Sequence, residues 1–130
     1  MFDLTENWKP VFYISGGATI GAWFRSYLTR NFRVLSHSWP FGTLTINLIA
    51  SFALGFTLAI KSDMGKNFSS DAYFFICIGL LGSFSTFSTF IVDSLKLFEA
   101  NGWRDCLDFI AISLTLGCLA AIAGLMVGNI

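Results

Sequence analysis

Four apolar stretches separated by short polar connections organise the chain. The first runs from Pro10 to Phe24 and continues to Thr29 if Arg25 is tolerated inside it. The others, Ser38 to Ile60, Ala72 to Val92 and Phe109 to Ile130, carry no charge. A helix rises about 1.5 Å per residue, so about 20 residues cross a hydrocarbon core of roughly 30 Å. The pattern predicts four transmembrane helices, at about 10–29, 40–60, 72–98 and 106–128. The first is the least apolar of them. Barrel strands alternate polar and apolar residues over about ten positions, and these stretches do not.

Composition narrows the class. Of 130 residues, 55% are hydrophobic and 12% charged, with a mean hydropathy of +0.68. A soluble domain carries about 25% charged residues, so this chain cannot coat a small globule with polar groups. Disorder, which needs low hydrophobicity and high charge, is excluded as well. Eight basic and eight acidic residues give zero net charge, without the basic surface that nucleic acid requires. Asp3 and Glu6 occupy the place where a cleavable signal peptide needs positive charge, so the first span is expected to stay. The chain reads as one integral membrane domain over 1–130. Lys9, Lys61 and Lys66 fall on one side of the expected topology. Arg30, Arg33, Lys96 and Arg104 fall on the other, with Arg25 near its edge. That imbalance is weak for the positive-inside rule. It leaves open a count too crude to orient the chain, or a protein inserting both ways and pairing head to tail.

The third stretch holds the densest chemistry, Gly82-Ser83-Phe84-Ser85-Thr86-Phe87-Ser88-Thr89-Phe90. Glycine weakens a helix, and clustered hydroxyls compete for backbone hydrogen bonds. Irregular backbone survives at membrane depth only when buried in protein or facing a water-filled cavity. Tight packing through small residues is the other reading. Phe84, Phe87 and Phe90 recur every three residues, which puts them near one face of a continuous helix. Ring edges are weakly positive and could present that charge to an anion without trapping it. Ordinary core packing is the alternative.

Asn47 is the only Asn, Gln or charged residue inside the second stretch. Its amide offers two donors; it either binds a neighbouring helix or faces a polar cavity. Arg25 either snorkels to the interface or adds positive potential at a vestibule. Asp93 closes the uncharged run of the third stretch as an interfacial charge, and Ser113, Thr115 and Gly117 give the fourth a polar face. Gly17/Gly21 and Gly124/Gly128 are GxxxG pairs suited to close helix contact. Cys77, Cys106 and Cys118 lack metal spacing, and His37 stands alone. No nucleophile with its base, carboxylate pair at membrane depth or phosphate loop is visible, so no enzyme is expected.

Together the landmarks Gly17-x-x-x-Gly21-x-x-x-Arg25, Gly42-Thr43-Leu44-x-x-Asn47, the run from Gly82 to Phe90, and Ser113-x-x-x-Gly117 resemble the Fluc/CrcB family of fluoride channels. The resemblance implies an all-α fold of four transmembrane helices with the third broken near 82–86. It implies an antiparallel, dual-topology dimer with two fluoride pores along its interface. Pore groups would be Asn47, Phe87, Phe90, Ser88, Thr89 and Ser113, with Arg25 at the vestibule. A central structural Na⁺ would sit on the backbone carbonyls of Gly82 and Ser85 from each subunit. The location implied is a prokaryotic-type plasma membrane (cell inner membrane), and the role is export of cytoplasmic fluoride.

Several positions depart from the family pattern. Ser83 stands where a second glycine is usual, and Ser85 where Thr is usual. Asp93 replaces a Glu, and Phe109 a Tyr. Together they could mark half of a heterodimer, a pore-completing subunit that does not conduct alone. A small multidrug-type proton-coupled transporter is the other class, but it needs a carboxylate within the membrane, and the first span has none.

Overall fold

The structure, a computed structural model, describes residues 8–35, 39–65 and 68–130. His37, Lys66, Asp3 and Glu6 lie outside the described residues. Helix α1 is Lys9–Leu35 and α2 is Phe41–Met64. The third helix comes in two parts. Its first part, α3, covers residues 70–84 and contains a π-helical stretch, Phe74–Leu81. Its second part, α4, is Phe87–Asn101, and α5 is Trp103–Gly128. The chain is a four-helix bundle with its third helix bent. Among the described residues, α2, the combined segment Ser70–Asn101, and α5 are long and apolar enough to cross a membrane. Helix α1 has the length, 27 residues, but carries Lys9, Arg25, Arg30 and Arg33. Helix α1 runs past Arg25, the first charge after Pro10, because backbone hydrogen bonding does not depend on side-chain charge and a long basic side chain can snorkel.

Local chemistry sets the joints. Gly65, at φ +51, ends α2 and donates its N–H to the Lys61 carbonyl. The Ser69 hydroxyl accepts from the Ala72 N–H at 3.0 Å and starts α3. Gly102, at φ +95, separates α4 from α5, a backbone state that a β-carbon disfavours. The Asn101 amide donates across that joint to Asp105 at 2.7 Å.

Two helix pairs build the bundle. Helix α1 lies along α3, and α2 lies along α5, with α4 against α5. Glycines allow the close approach. A β-carbon on Gly21 would collide with the Leu80 carbonyl and the Ser83 hydroxyl, and one on Gly17 with the Phe75 carbonyl. On the other pair, Gly55 meets the Ala121 backbone and Gly124 the Phe52 backbone. Small residues are how membrane helices gain packing without a hydrophobic drive. Gly21→Ala is therefore expected to destabilise by about 1–3 kcal/mol, the usual cost of overpacking. Gly117→Ala serves as the control, since its β-carbon would meet only the Ser51 hydroxyl at 3.8 Å. Thermal unfolding of both variants in detergent checks the contrast; equal midpoints would refute it.

Candidate functional site

The break in the third helix organises the polar groups. The Ser85 N–H still donates to the Leu81 carbonyl at 3.1 Å. Ser85 and Thr86 are then extended, at φ −79, ψ 155 and φ −150, ψ 121. Helix α2 meets this joint at Asn47, whose Oδ1 accepts the Thr86 N–H at 3.3 Å. Thr86 in turn caps α4: its Oγ1 accepts the Thr89 N–H at 3.5 Å and lies 3.0 Å from the Ser88 hydroxyl.

These bonds redirect two backbone donors. In an unbroken α-helix the residue 86 N–H would reach the Gly82 carbonyl, and the residue 89 N–H the Ser85 carbonyl. Here both go elsewhere. Gly82 is exposed on the surface of the protomer. Among the described residues, no three His, Cys, Asp or Glu side chains converge. A hard cation prefers oxygen ligands, and the donors that a continuous helix would give the Gly82 and Ser85 carbonyls are engaged elsewhere. The Gly82 and Ser85 carbonyls fit that chemistry.

Accepting the Thr86 N–H also fixes which way the Asn47 amide points. Its NH₂ has no acceptor among the described residues, so two donors are left for something else. Ser88 and Thr89 stand at the start of α4, where the helix dipole favours negative charge. Both line a cleft of about 640 Å³, together with Thr43, Asp93 and Lys96. The Ser113 Oγ is buried without a hydrogen-bond partner among the described residues. A helical serine commonly bonds back to the carbonyl four residues earlier, and this one does not. Half-buried Arg25 lies one turn before Thr29, another residue of the cleft wall. Asn47, Phe87, Phe90, Ser113 and Arg25 are not part of that wall.

The phenylalanine triplet does not share one helix face as its spacing suggests. The joint at residues 85 and 86 separates Phe84 from the other two. Phe84 is buried with Ile46 and Ala50, against Leu28 of α1. Phe90 is 6% exposed and packs with Leu44, Leu97 and Phe109; its ring centroid is 5.5 Å from that of Phe109. Phe87 is 73% exposed, with its centroid 5.8 Å from that of Phe90. An extended pair of residues resets the helical phase, which a period of three cannot foresee.

Three contributors carry no assignment from sequence. Thr86 holds the joint by accepting from Thr89, and a Thr just before an apolar run is a recognisable N-cap signal. Thr43 donates its hydroxyl to Asp93 Oδ2 at 2.5 Å, a contact across 50 residues that spacing does not announce. Lys96 lies 3.8 Å from Asp93 Oδ1, at the i,i+3 distance that could have suggested it. Ser83, where a glycine is usual, donates to the Ala18 carbonyl of α1 at 3.0 Å. Phe109, where a Tyr is usual, is 0% exposed and needs no partner for a hydroxyl.

Comparison with known proteins places this sequence among relatives. The family model described as CrcB-like protein, Camphor Resistance (CrcB), matches residues 12–125. The fluoride-specific ion channel FluC of Leptospira interrogans is 38% identical over 117 residues, 89% of this chain and 91% of that protein. The fluoride-specific ion channel FluC 1 of Prochlorococcus marinus is 33% identical over 130 residues, 99% of each. The corresponding channel of Acinetobacter baylyi is 31% identical over 113 residues, 87% of this chain and 88% of that protein.

Proposed function

The chain belongs to the CrcB-like family of fluoride channels, and from that premise we propose that it exports cytoplasmic fluoride passively through a pore completed by a second subunit. It is a multi-pass protein of the plasma membrane and not an enzyme. In acid surroundings HF crosses the bilayer, ionises inside and is trapped as F⁻; a channel lets the ion leave down its gradient.

The observation that carries the reading is the bond from Thr86 to Asn47 at the break. It leaves the Asn47 NH₂ unpaired at the joint from which α4, with Ser88 and Thr89 in its first turn, begins. Fluoride must exchange its water for donors strong enough to accept it and weak enough to release it. The Asn47 amide, the Ser88, Thr89 and Ser113 hydroxyls, and the ring edges of Phe87 and Phe90 are such donors. Arg25 would add positive potential near the entrance. A central Na⁺ on the Gly82 and Ser85 carbonyls of two facing subunits would supply positive potential and join the two breaks.

The exposed Phe87 and Gly82 support a site completed by another subunit. The partner in this reading is an antiparallel second copy; the second reading is a paralogous chain. Purified protein in liposomes, with fluoride efflux followed by an electrode and chloride as control, decides between them. Fast fluoride-selective efflux is expected; it establishes a self-sufficient channel and favours the antiparallel homodimer. A folded but silent preparation refutes it and points to a paralogous partner.

A further inference from the structure

The cleft beside Ser88 and Thr89 also contains a carboxylate, and a carboxylate is an obstacle to an anion. Asp93 is on the wall that Ser88 and Thr89 line, five residues further along α4 than Ser88. Its side chain is 17% exposed, and both oxygens have partners. Oδ2 accepts the Thr43 hydroxyl at 2.5 Å, which ties the carboxylate to the start of α2. Oδ1 faces the Lys96 ammonium at 3.8 Å. Lys96 is itself on the cleft wall, with a side chain 63% exposed. A pair whose cation is solvent-exposed contributes little to folding, yet both of its charges line the same cleft as Ser88 and Thr89.

We propose that Lys96 is a positioning residue for conduction: it neutralises Asp93 and, with Thr43, holds that carboxylate so that fluoride can pass the cleft. This rests on the reading of the chain as a fluoride channel. The two tethers do different work. Thr43 donates a neutral hydrogen bond that fixes the place of Oδ2. Lys96 supplies the positive charge that cancels the field of the carboxylate within the cleft. Without it, fluoride would meet an uncompensated negative charge at short range in a partly desolvated site, where screening is incomplete. Lys96 would thus act through Asp93, and its effect should vanish when Asp93 carries no charge.

Fluoride efflux from liposomes tests this with the wild type, Lys96→Met, Lys96→Arg, Asp93→Asn, and Asp93→Asn combined with Lys96→Met. The wild type should conduct. Lys96→Met should lower efflux roughly tenfold or more, and Lys96→Arg should retain it, because charge and not shape is required. Thermal unfolding of Lys96→Met should match the wild type, which a merely structural role would not give. In the Asp93→Asn background, Lys96→Met should change efflux by less than about threefold, the sign of coupling between the two side chains. A conducting wild type with an equally conducting Lys96→Met overturns the inference alone. So does a loss of the same size in both backgrounds, which would make Lys96 an independent attractor of anions. A silent wild type overturns the channel reading and this inference with it.

Discussion

Asn47→Asp is expected to lower fluoride efflux by about 100-fold or more while leaving the thermal midpoint near that of the wild type. The amide does two jobs, and this substitution separates them. Oδ1 accepts the Thr86 N–H and thereby holds the helix break. A carboxylate oxygen can accept the same bond. The NH₂, by contrast, is replaced by a second oxygen, so two donors become an acceptor with negative charge. At close range in a partly buried site such a charge repels an anion by several kcal/mol, and each 1.4 kcal/mol is tenfold, so a loss of about 100-fold is a modest expectation. Asn47→Leu removes both jobs. It should lose conduction and about 1–3 kcal/mol of stability, the cost of leaving the Thr86 N–H unpaired. Efflux and thermal unfolding measured on the two variants together check the argument. Conduction by Asn47→Asp at the wild-type rate would take the amide out of the anion path.

Much of this architecture is legible from one dimension. The charge-free stretches mark three helices, and glycines spaced by four mark where pairs approach, as at Gly17 and Gly21 against α3. Both are local statistics that a sequence carries directly. The break is partly legible. Hydroxyls crowded around Gly82 weaken a helix, yet the position of the joint depends on Asn47, 39 residues earlier. A donor that leaves its own helix for another one is invisible until the helices are packed. The same limit separates Asp93 from its partner Thr43, while Lys96, one turn away, is within reach of sequence spacing. The π-helical stretch Phe74–Leu81 announces itself in no residue pattern. It lies along α1 where Gly17 and Gly21 admit its carbonyls, so its geometry belongs to the pair of helices rather than to either sequence segment.

The break also explains why the polar groups gather where they do. A continuous third helix would satisfy its own carbonyls and keep the donors of residues 86 and 89 inside. By passing them to Asn47 and to the Thr86 hydroxyl, the chain starts a new helix at Phe87. That new start brings a helix dipole and the hydroxyls of Ser88 and Thr89 to one place. It also takes from the Gly82 and Ser85 carbonyls the N–H donors that a continuous helix would give them. In the proposed reading, one local rearrangement thus provides both the donors for the anion and the acceptors for the cation within a few residues. Ser83 anchors the first half by its bond to Ala18 of α1, so the joint is held from two neighbouring helices.

Phe87→Ile combined with Phe90→Ile should abolish fluoride efflux, and the single variants should show that the two rings differ in kind. Isoleucine keeps much of the apolar bulk but has no ring edge carrying partial positive charge. Phe87 is 73% exposed on the protomer, so Phe87→Ile removes little packing within it. Its effect on the thermal midpoint should be small, and its effect on efflux large, if the ring serves the ion. Phe90 is buried among Leu44, Leu97 and Phe109. Phe90→Ile leaves part of that space unfilled, with an expected cost of roughly 1–3 kcal/mol for a change in buried size and shape. A loss of efflux in that single variant therefore mixes conduction with packing, whereas Phe87→Ile isolates conduction. Efflux and unfolding on all three variants give the test. If the double variant folds and conducts fluoride at the wild-type rate, ring edges play no part, and the amide and hydroxyl donors must carry the ion alone.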